Sequence, residues 1–445
     1  MKESALSFMK KLKQPWVIAI LSAALIPLFP EYIAPILAAV SLTAAYFDTV
    51  PSRRGFQVGI IGKIILLYIA YMTLGLLYSP EIMSTLVTVG MWCAMFMVCL
   101  SMTTVLNNRR RFDTALFVIS LTAGLIGFIG CVQYMLRVSL GLDFPAEFWN
   151  FIDKPIFNIL PVEMKFGNSG VRVSSTFNNC NIFGESMIML LPIVVYYSFF
   201  GRRKSTHLLN RFCLMMAAGG IAFSFSRGSY MGILAIAFVF AIAHIRKIVL
   251  LLLTMVSGFL LVPQPVISRL FTINESDSSI NERMNIWRAG FSFIKDHPLF
   301  GVGTGISNSW SLLLQKGIDA PHMHNVILQL LVEGGIIAVV IFGMMVWKIG
   351  HTGLSMLTKD KEARMTGVLL LAFLFGFLTD SMVEFPFMTP KLIGIFLIVI
   401  ALADSAARLY LGKRTSALLD VLTFQKQITD VKGERVTCTD VNNFK

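Results

Sequence analysis

Charge is what this sequence has least of. Of its 445 residues, 14% are Asp, Glu, Lys or Arg against 56% hydrophobic, and the mean hydropathy is +0.72. So few charges cannot cover a core of that size, which excludes an ordinary soluble protein. Acidic residues are scarcer than basic ones, 25 against 38, giving a net charge of +13. The basic residues sit in short clusters between apolar runs and not on one soluble face, so nucleic acid is excluded as a partner and membrane topology is indicated. Cysteine is equally sparse: Cys93, Cys99, Cys131 and Cys213 fall inside apolar runs, while Cys180 and Cys438 stand alone. No disulfide framework follows, nor a metal-spaced cysteine set. The opening Lys-rich segment lacks a convincing cleavage site and reads as a signal anchor.

What is there is a series of membrane-length apolar runs. A stretch of about 20 apolar residues crosses a bilayer as a helix, and the chain offers about twelve: 15–30, 31–47, 58–78, 83–105, 113–136, 182–200, 212–226, 229–244, 247–263, 326–348, 365–383 and 389–408. The expected fold class is an all-α polytopic membrane protein. Its domains are a transmembrane scaffold over 1–136, an outer loop over 137–181, spans six to nine over 182–263, a large outer loop over 264–325, spans ten to twelve over 326–410, and a polar tail over 411–445. Every even-numbered connection is basic: Arg53 and Arg54, Arg109 to Arg111, Arg202 to Lys204 with Arg211, Arg246 and Lys247, Lys348 with Lys359, Lys361 and Arg364, and Arg408 with Lys413 and Arg414. Positive charge stays on the cytoplasmic side, so both termini are expected there, with the odd-numbered connections outside.

The outer connections hold the ionisable residues of interest. Arg172 and Asn181 flank the mouth of the sixth span, Asn181 in a position to cap it. Arg227 lies in the tight turn Ser224–Tyr230 and either snorkels to lipid phosphate or faces a cavity that binds an anion. In the large outer loop, Met284, Trp287, Phe291 and Ile294 recur at helical spacing, which predicts an amphipathic helix lying along the membrane interface. Arg283, four residues before Trp287, borders that apolar stripe, while Arg288 shares the more polar face with Lys295. Gly301, Gly303 and Gly305 resemble a fragment of a dinucleotide fingerprint, but no strand precedes them, so they read as turn glycines that bring His322 and His324 back to the membrane.

His322 and His324 are two apart, with no evident further ligand beside them, so no metal is expected. His324 precedes the tenth span with Asn325 at its side, where the positive helix end disfavours an imidazolium and leaves a neutral base. The bland alternative is a plain surface histidine. Asn325, Gln329 and Glu333 recur every four residues as a polar stripe directed into the bundle, and Gly334 and Gly335 permit a bend. Asp380 and Glu384 form an acidic patch or pair with Lys391.

Arginines kept on the outer side against the positive-inside bias are suited to gripping phosphate, since the guanidinium fork binds it bidentately and stays charged. With a neutral histidine, they suggest group transfer from a lipid phosphate donor. Ser226-Arg227-Gly228, Arg283-x-x-x-Trp287 followed by His297-Pro-Leu-Phe-Gly-Val-Gly-Thr-Gly305, His324-Asn325 running into Glu333-Gly334-Gly335, and Ser175-Thr-Phe-Asn-Asn-Cys-Asn181 together resemble the O-antigen ligase and polymerase superfamily. The resemblance implies a GT-C-like helical fold in the bacterial inner membrane with an extracytoplasmic site. It further implies metal-independent, cofactor-free transfer of a glycan from undecaprenyl diphosphate to a hydroxyl on a glycan, lipid or protein acceptor, in contact with membrane lipids. By the same resemblance Arg227 and Arg283 serve the diphosphate and His324 activates the acceptor, with Arg172, Asn181, Trp287, Arg288, His322 and Asn325 as candidate substrate-binding residues. Cys180 departs from the family, which usually has proline between two asparagines there. The rival class is a polysaccharide or lipid-linked oligosaccharide transporter or flippase, which predicts internal repeats and mid-depth ionisable residues; the sequence has no such repeat, and its candidate residues cluster at one face.

Overall fold

The computed structural model describes residues 14–52, 55–141, 172–243 and 278–418. Within them the chain is helical: α1 Pro15–Leu25, α2 Ala34–Thr49, α3 Ile60–Leu74, α4 Ile82–Val105, α5 Arg109–Leu140, α6 Cys180–Phe200, α7 His207–Ser224, α8 Arg227–Ala243, α9 Ser278–Asp296, α10 Ile306–Gln315, α11 Val326–Met356, α12 Lys361–Ser381 and α13 Pro390–Leu411. One short antiparallel pair, β1 Gln57–Val58 and β2 Ser416–Ala417, ties the segment after α13 to the start of α3. The first residues of the polar tail beyond Arg414 are therefore paired with the segment before α3.

Eight helices among the described residues are long and apolar enough to cross a membrane, and Pro15–Leu28 and Arg227–Ala243 are shorter apolar helices. Each apolar run named above coincides with a helix except 247–263, which lies outside the described residues, as do 264–277 and most of the outer loop 137–181. Helix α5 continues past 136 to Leu140 and stops at Gly141 in the left-handed conformation.

The helix ends follow local chemistry. Asn108 and Asp360 accept the Arg111 and Ala363 amides to open α5 and α12, satisfying donors that the first helical turn leaves orphaned. Pro390 at the first turn, with Thr389 as cap, opens α13. That helix is the central post: 89% of its span is buried, and it touches α2, α3, α4, α6, α11 and α12. Small residues set the closest crossings, as where α5 meets α7: a Cβ at Gly127 would lie 2.4 Å from the Met216 carbonyl oxygen.

Two sets of helix ends are gathered separately. Asp48 pairs with Arg111 at 2.5 Å, Arg109 with Asp360 and Glu362 at 3.5 and 3.4 Å, Arg202 with Glu362 at 4.0 Å and Arg203 with Asp113 at 3.9 Å. These residues come from, or border, the second, fourth, sixth and tenth connections. At the other end of α12, about 30 Å away at 1.5 Å per residue, the odd-numbered connections meet around Glu384.

Candidate active site

Helix α9 buries Ile286, Ala289 and Phe293, spaced three and four apart, against Leu328 and Val332 of α11 and against Val302, Leu313 and Met323. The face packed on the bundle is distinct from the expected interfacial stripe, of which Met284 and Phe291 are exposed and Trp287 and Ile294 partly buried. The inner face is set by the helices that α9 covers. Arg283 and Trp287 nevertheless share the side turned toward the His322–Asn325 segment, whereas Arg288 is exposed and reaches Asn285.

Two devices place that segment. The first is a break in α11: Gly335 has φ 60° and ψ −163°, a conformation essentially closed to side-chain-bearing residues. The chain from Pro298 to Gly305 fits against the break. Val302 and Gly303 amides donate to the Val332 and Glu333 carbonyls at 2.9 Å each, the Ile336 amide donates to the Pro298 carbonyl at 3.0 Å, and the Tyr71 hydroxyl donates to the Gly334 carbonyl at 2.6 Å. Backbone groups freed by the break are thus satisfied inside the bundle, as a nonpolar surround requires. Gly301, Gly303 and Gly305 all have positive φ, so the turn reading of these glycines holds.

The second device is the polar stripe of α11. Asn325 caps the helix by accepting the Leu328 amide at 2.9 Å and donates its own amide to the Met382 carbonyl at 2.9 Å. Gln329 accepts the Met323 amide at 2.7 Å and donates to Glu333 at 2.8 Å, and Trp287 Nε1 donates to the Met323 carbonyl at 2.9 Å. His324 is thereby held at φ 48°, a left-handed conformation that costs a non-glycine residue about 1–3 kcal/mol and persists only where its surroundings over-determine it.

Glu384 is the hub. One carboxylate oxygen accepts from Arg283 Nη2 and Asn181 Nδ2, both at 2.9 Å, and the other stands 3.2 Å from His324 Nδ1. Asn181 passes the connection on, accepting from Arg172 Nη2 at 2.5 Å, while Arg172 Nε donates to the Ser224 carbonyl at 3.1 Å in the turn just before Arg227. Arg172 is therefore committed to bracing that turn. Asn181 bridges the network instead of capping α6, since Asn179 caps that helix. Arg227 opens α8 three residues after Ser224, the residue that Arg172 grips. Four expected residues, His324, Arg283, Asn181 and Arg172, are thus brought into one hydrogen-bonded chain that no sequence spacing could reveal.

Glu384 itself was legible only as a carboxylate near the end of an apolar run. It turns to Arg283, Asn181 and His324 and not to Lys391, whose ammonium goes to the Thr176 carbonyl at 2.5 Å and over the Phe177 ring at 4.5 Å. With Nδ1–H of His324 donated to the carboxylate, Nε2 carries the lone pair and can accept a proton. His322 lies beside it, ring centroids 4.0 Å apart and planes inclined at 55°, and its Nδ1 accepts the His324 amide at 3.1 Å. Burial first, then the charges of His324 and Arg283, hold the His322 imidazole well below its ordinary value, so it stays neutral beside its neighbour.

A third potential metal ligand, not evident in the sequence, is supplied by Glu384: donor atoms of His322, His324 and Glu384 lie within 4.8 Å of one another. The set does not suit a cation. Arg283 already places a fixed positive charge 2.9 Å from Glu384, and His322 Nδ1 is spent on a backbone amide. A crevice with room for about one water lies nearby between Tyr68, Trp92, Gly305, Glu333, Phe385 and Phe387.

Residues 212–343 match the family model described as O-antigen ligase. That region runs from α7 into α11 and contains Arg227, Arg283, Trp287, Arg288, His322, His324 and Asn325, leaving Arg172, Asn181 and Glu384 outside. No curated protein matches the chain.

Proposed function

We propose that this chain, which carries an O-antigen ligase domain over residues 212–343, transfers a glycan from undecaprenyl diphosphate to an acceptor hydroxyl at the outer face of the bacterial inner membrane. The observation that supports it most is the Glu384 hub, where one carboxylate orients both a histidine and an arginine at 3.2 and 2.9 Å. Some twelve spans in a GT-C-like arrangement, with both termini cytoplasmic, complete this reading.

In the reaction the acceptor oxygen attacks the anomeric carbon and its proton passes to His324 Nε2. The bond from that carbon to the diphosphate oxygen breaks, and the diphosphate leaves with its electron pair. Glu384 holds the imidazole in the tautomer that exposes Nε2 and stabilises the imidazolium that forms. Arg283 spends Nη2 on Glu384, and the rest of its five-donor fork, with Arg227, receives the developing charge on the diphosphate. No metal is needed where arginines supply the positive charge.

His324→Ala is expected to lower transfer about 10²–10⁴-fold, the usual span for a lost general base, and Arg227→Ala to do likewise, with expression and folding intact. The assay is glycan transfer by purified protein given lipid-linked donor and acceptor; full activity in both variants would sink the mechanism. Incubation with lipid-linked oligosaccharide alone then separates the acceptor classes. Lengthened chains identify a polymerase, and reaction only on adding a lipid or protein acceptor identifies a ligase.

A further inference from the structure

The turn that carries Arg227 is gripped from two sides. Ser226 starts α8 with its hydroxyl accepting the Ser229 amide at 3.4 Å. Ser229 Oγ lies 3.1 Å from Ser226 Oγ and 3.2 Å from Asp380 Oδ1 of α12. Gly228 presses on the same carboxylate: a Cβ there would stand 2.9 Å from Asp380 Oδ1 and 2.6 Å from Val383. On the opposite side, a Cβ at Gly184 of α6 would lie 2.3 Å from Ser229 Oγ. Asp380 is 1% exposed, so it acts here as part of the packing and not as a solvated surface charge. Its carboxyl meets the positive N-terminal end of α8, a favourable arrangement.

Asp380 and Glu384 are four residues apart where α12 ends. Glu384 orders Arg283, His324 and Asn181; Asp380 orders the start of α8. We propose that Asp380 is the positioning residue of the donor-binding half, fixing the first turn of α8 so that Arg227 stands in register with Arg283 for a lipid diphosphate. This rests on the glycan-transfer reading above. It assigns the end of α12 two tasks that can be disrupted separately: Glu384 orients His324 and Arg283, and Asp380 places Arg227. Among the described residues Asp380 Oδ2 has no hydrogen-bond partner. An amide at this position would keep the oxygen that Ser229 uses.

The test uses the full-length protein in lipid nanodiscs with an undecaprenyl diphosphate-linked oligosaccharide and an acceptor, measuring kcat and both KM values. Asp380→Ala is expected to raise the donor KM about tenfold or more, since small misplacements of a binding group cost up to about 10²-fold, and to leave the acceptor KM unchanged. Asp380→Asn is expected to recover most of that loss. Combined with Arg227→Ala, Asp380→Ala is expected to add little, because a residue that acts through another is not additive with it. Ser229→Ala, a smaller change, should move the donor KM in the same direction and covers the case of an unstable Asp380→Ala. A wild-type donor KM in Asp380→Ala, or losses that multiply with those of Arg227→Ala, overturns the assignment while leaving glycan transfer standing. A wild-type protein that moves no glycan overturns both.

Discussion

Two neighbouring histidines in this site answer to opposite surroundings. His324 faces a carboxylate, and His322 is buried against His324 and Arg283. Because the His322 imidazole is held well below its ordinary 6.5 in the folded state, the unfolded chain binds its proton first as pH falls. Stability is therefore lost as pH drops below about 6.5, through the window down to the lowered folded-state value. His322→Gln is expected to flatten this acid slope, as read from thermal unfolding midpoints at successive pH values; an unchanged slope would show that His322 does not carry it. At this scale the sequence was informative where spacing decides orientation. Arg283, four before Trp287, borders the apolar stripe while Arg288 shares the polar face with Lys295, and the structure turns Arg283 toward Glu384 while Arg288 is exposed. It offered Glu384 only as part of an acidic patch or a partner for Lys391, because a carboxylate beside an apolar run gives no hint of partners 203, 101 and 60 positions away.

Helix α11 shows how an element can be legible in period and illegible in shape. The four-residue repeat of Asn325, Gln329 and Glu333 predicted an inward polar stripe, and Gln329 and Glu333 are buried at 0% and 4% exposure. Gly334-Gly335 suggested a bend. What fills the bend, the Pro298–Gly305 segment, depends on hydrogen bonds across some thirty residues of sequence that no local pattern encodes. Gly335→Ala tests the joint. Its backbone conformation costs a residue with a side chain about 1–3 kcal/mol, and its Cβ would lie 2.2 Å from the Leu299 carbonyl oxygen. The expected outcome is faster proteolysis within 297–324 and reduced transfer, with the bundle still folded. Wild-type protection of this loop would mean that the break does not anchor it.

For the whole molecule, the separation of the helix ends depends on how α13 fastens its neighbours. Buried Asp404 accepts the Ile61 and Gly62 amides at 3.0 and 2.8 Å, capping α3 from a distant helix, and Arg408 donates to the Thr103 and Leu106 carbonyls at 2.8 Å each at the end of α4. One helix thus closes an N-terminus and a C-terminus together. Asp404→Ala leaves two buried amides without an acceptor, at about 1–3 kcal/mol each. It should lower the unfolding temperature in detergent while donor and acceptor KM values of the surviving protein stay unchanged. A shift in KM without a loss of stability would contradict a purely structural role for this end.

The sequence by itself determined the all-α membrane class, the positions of the apolar runs and the division of the connections into two groups, because hydrophobic length and basic clustering are local properties of the chain. It also singled out Arg283 and His324. Only the tertiary structure decided that one carboxylate joins them, that Arg172 braces a turn, that α9 packs through Ile286, Ala289 and Phe293, and that a glycine loop lies in the break of α11. Each of these is a contact between segments far apart in the chain, and in a nonpolar surround the pairing of polar groups is settled by which helices come to lie side by side.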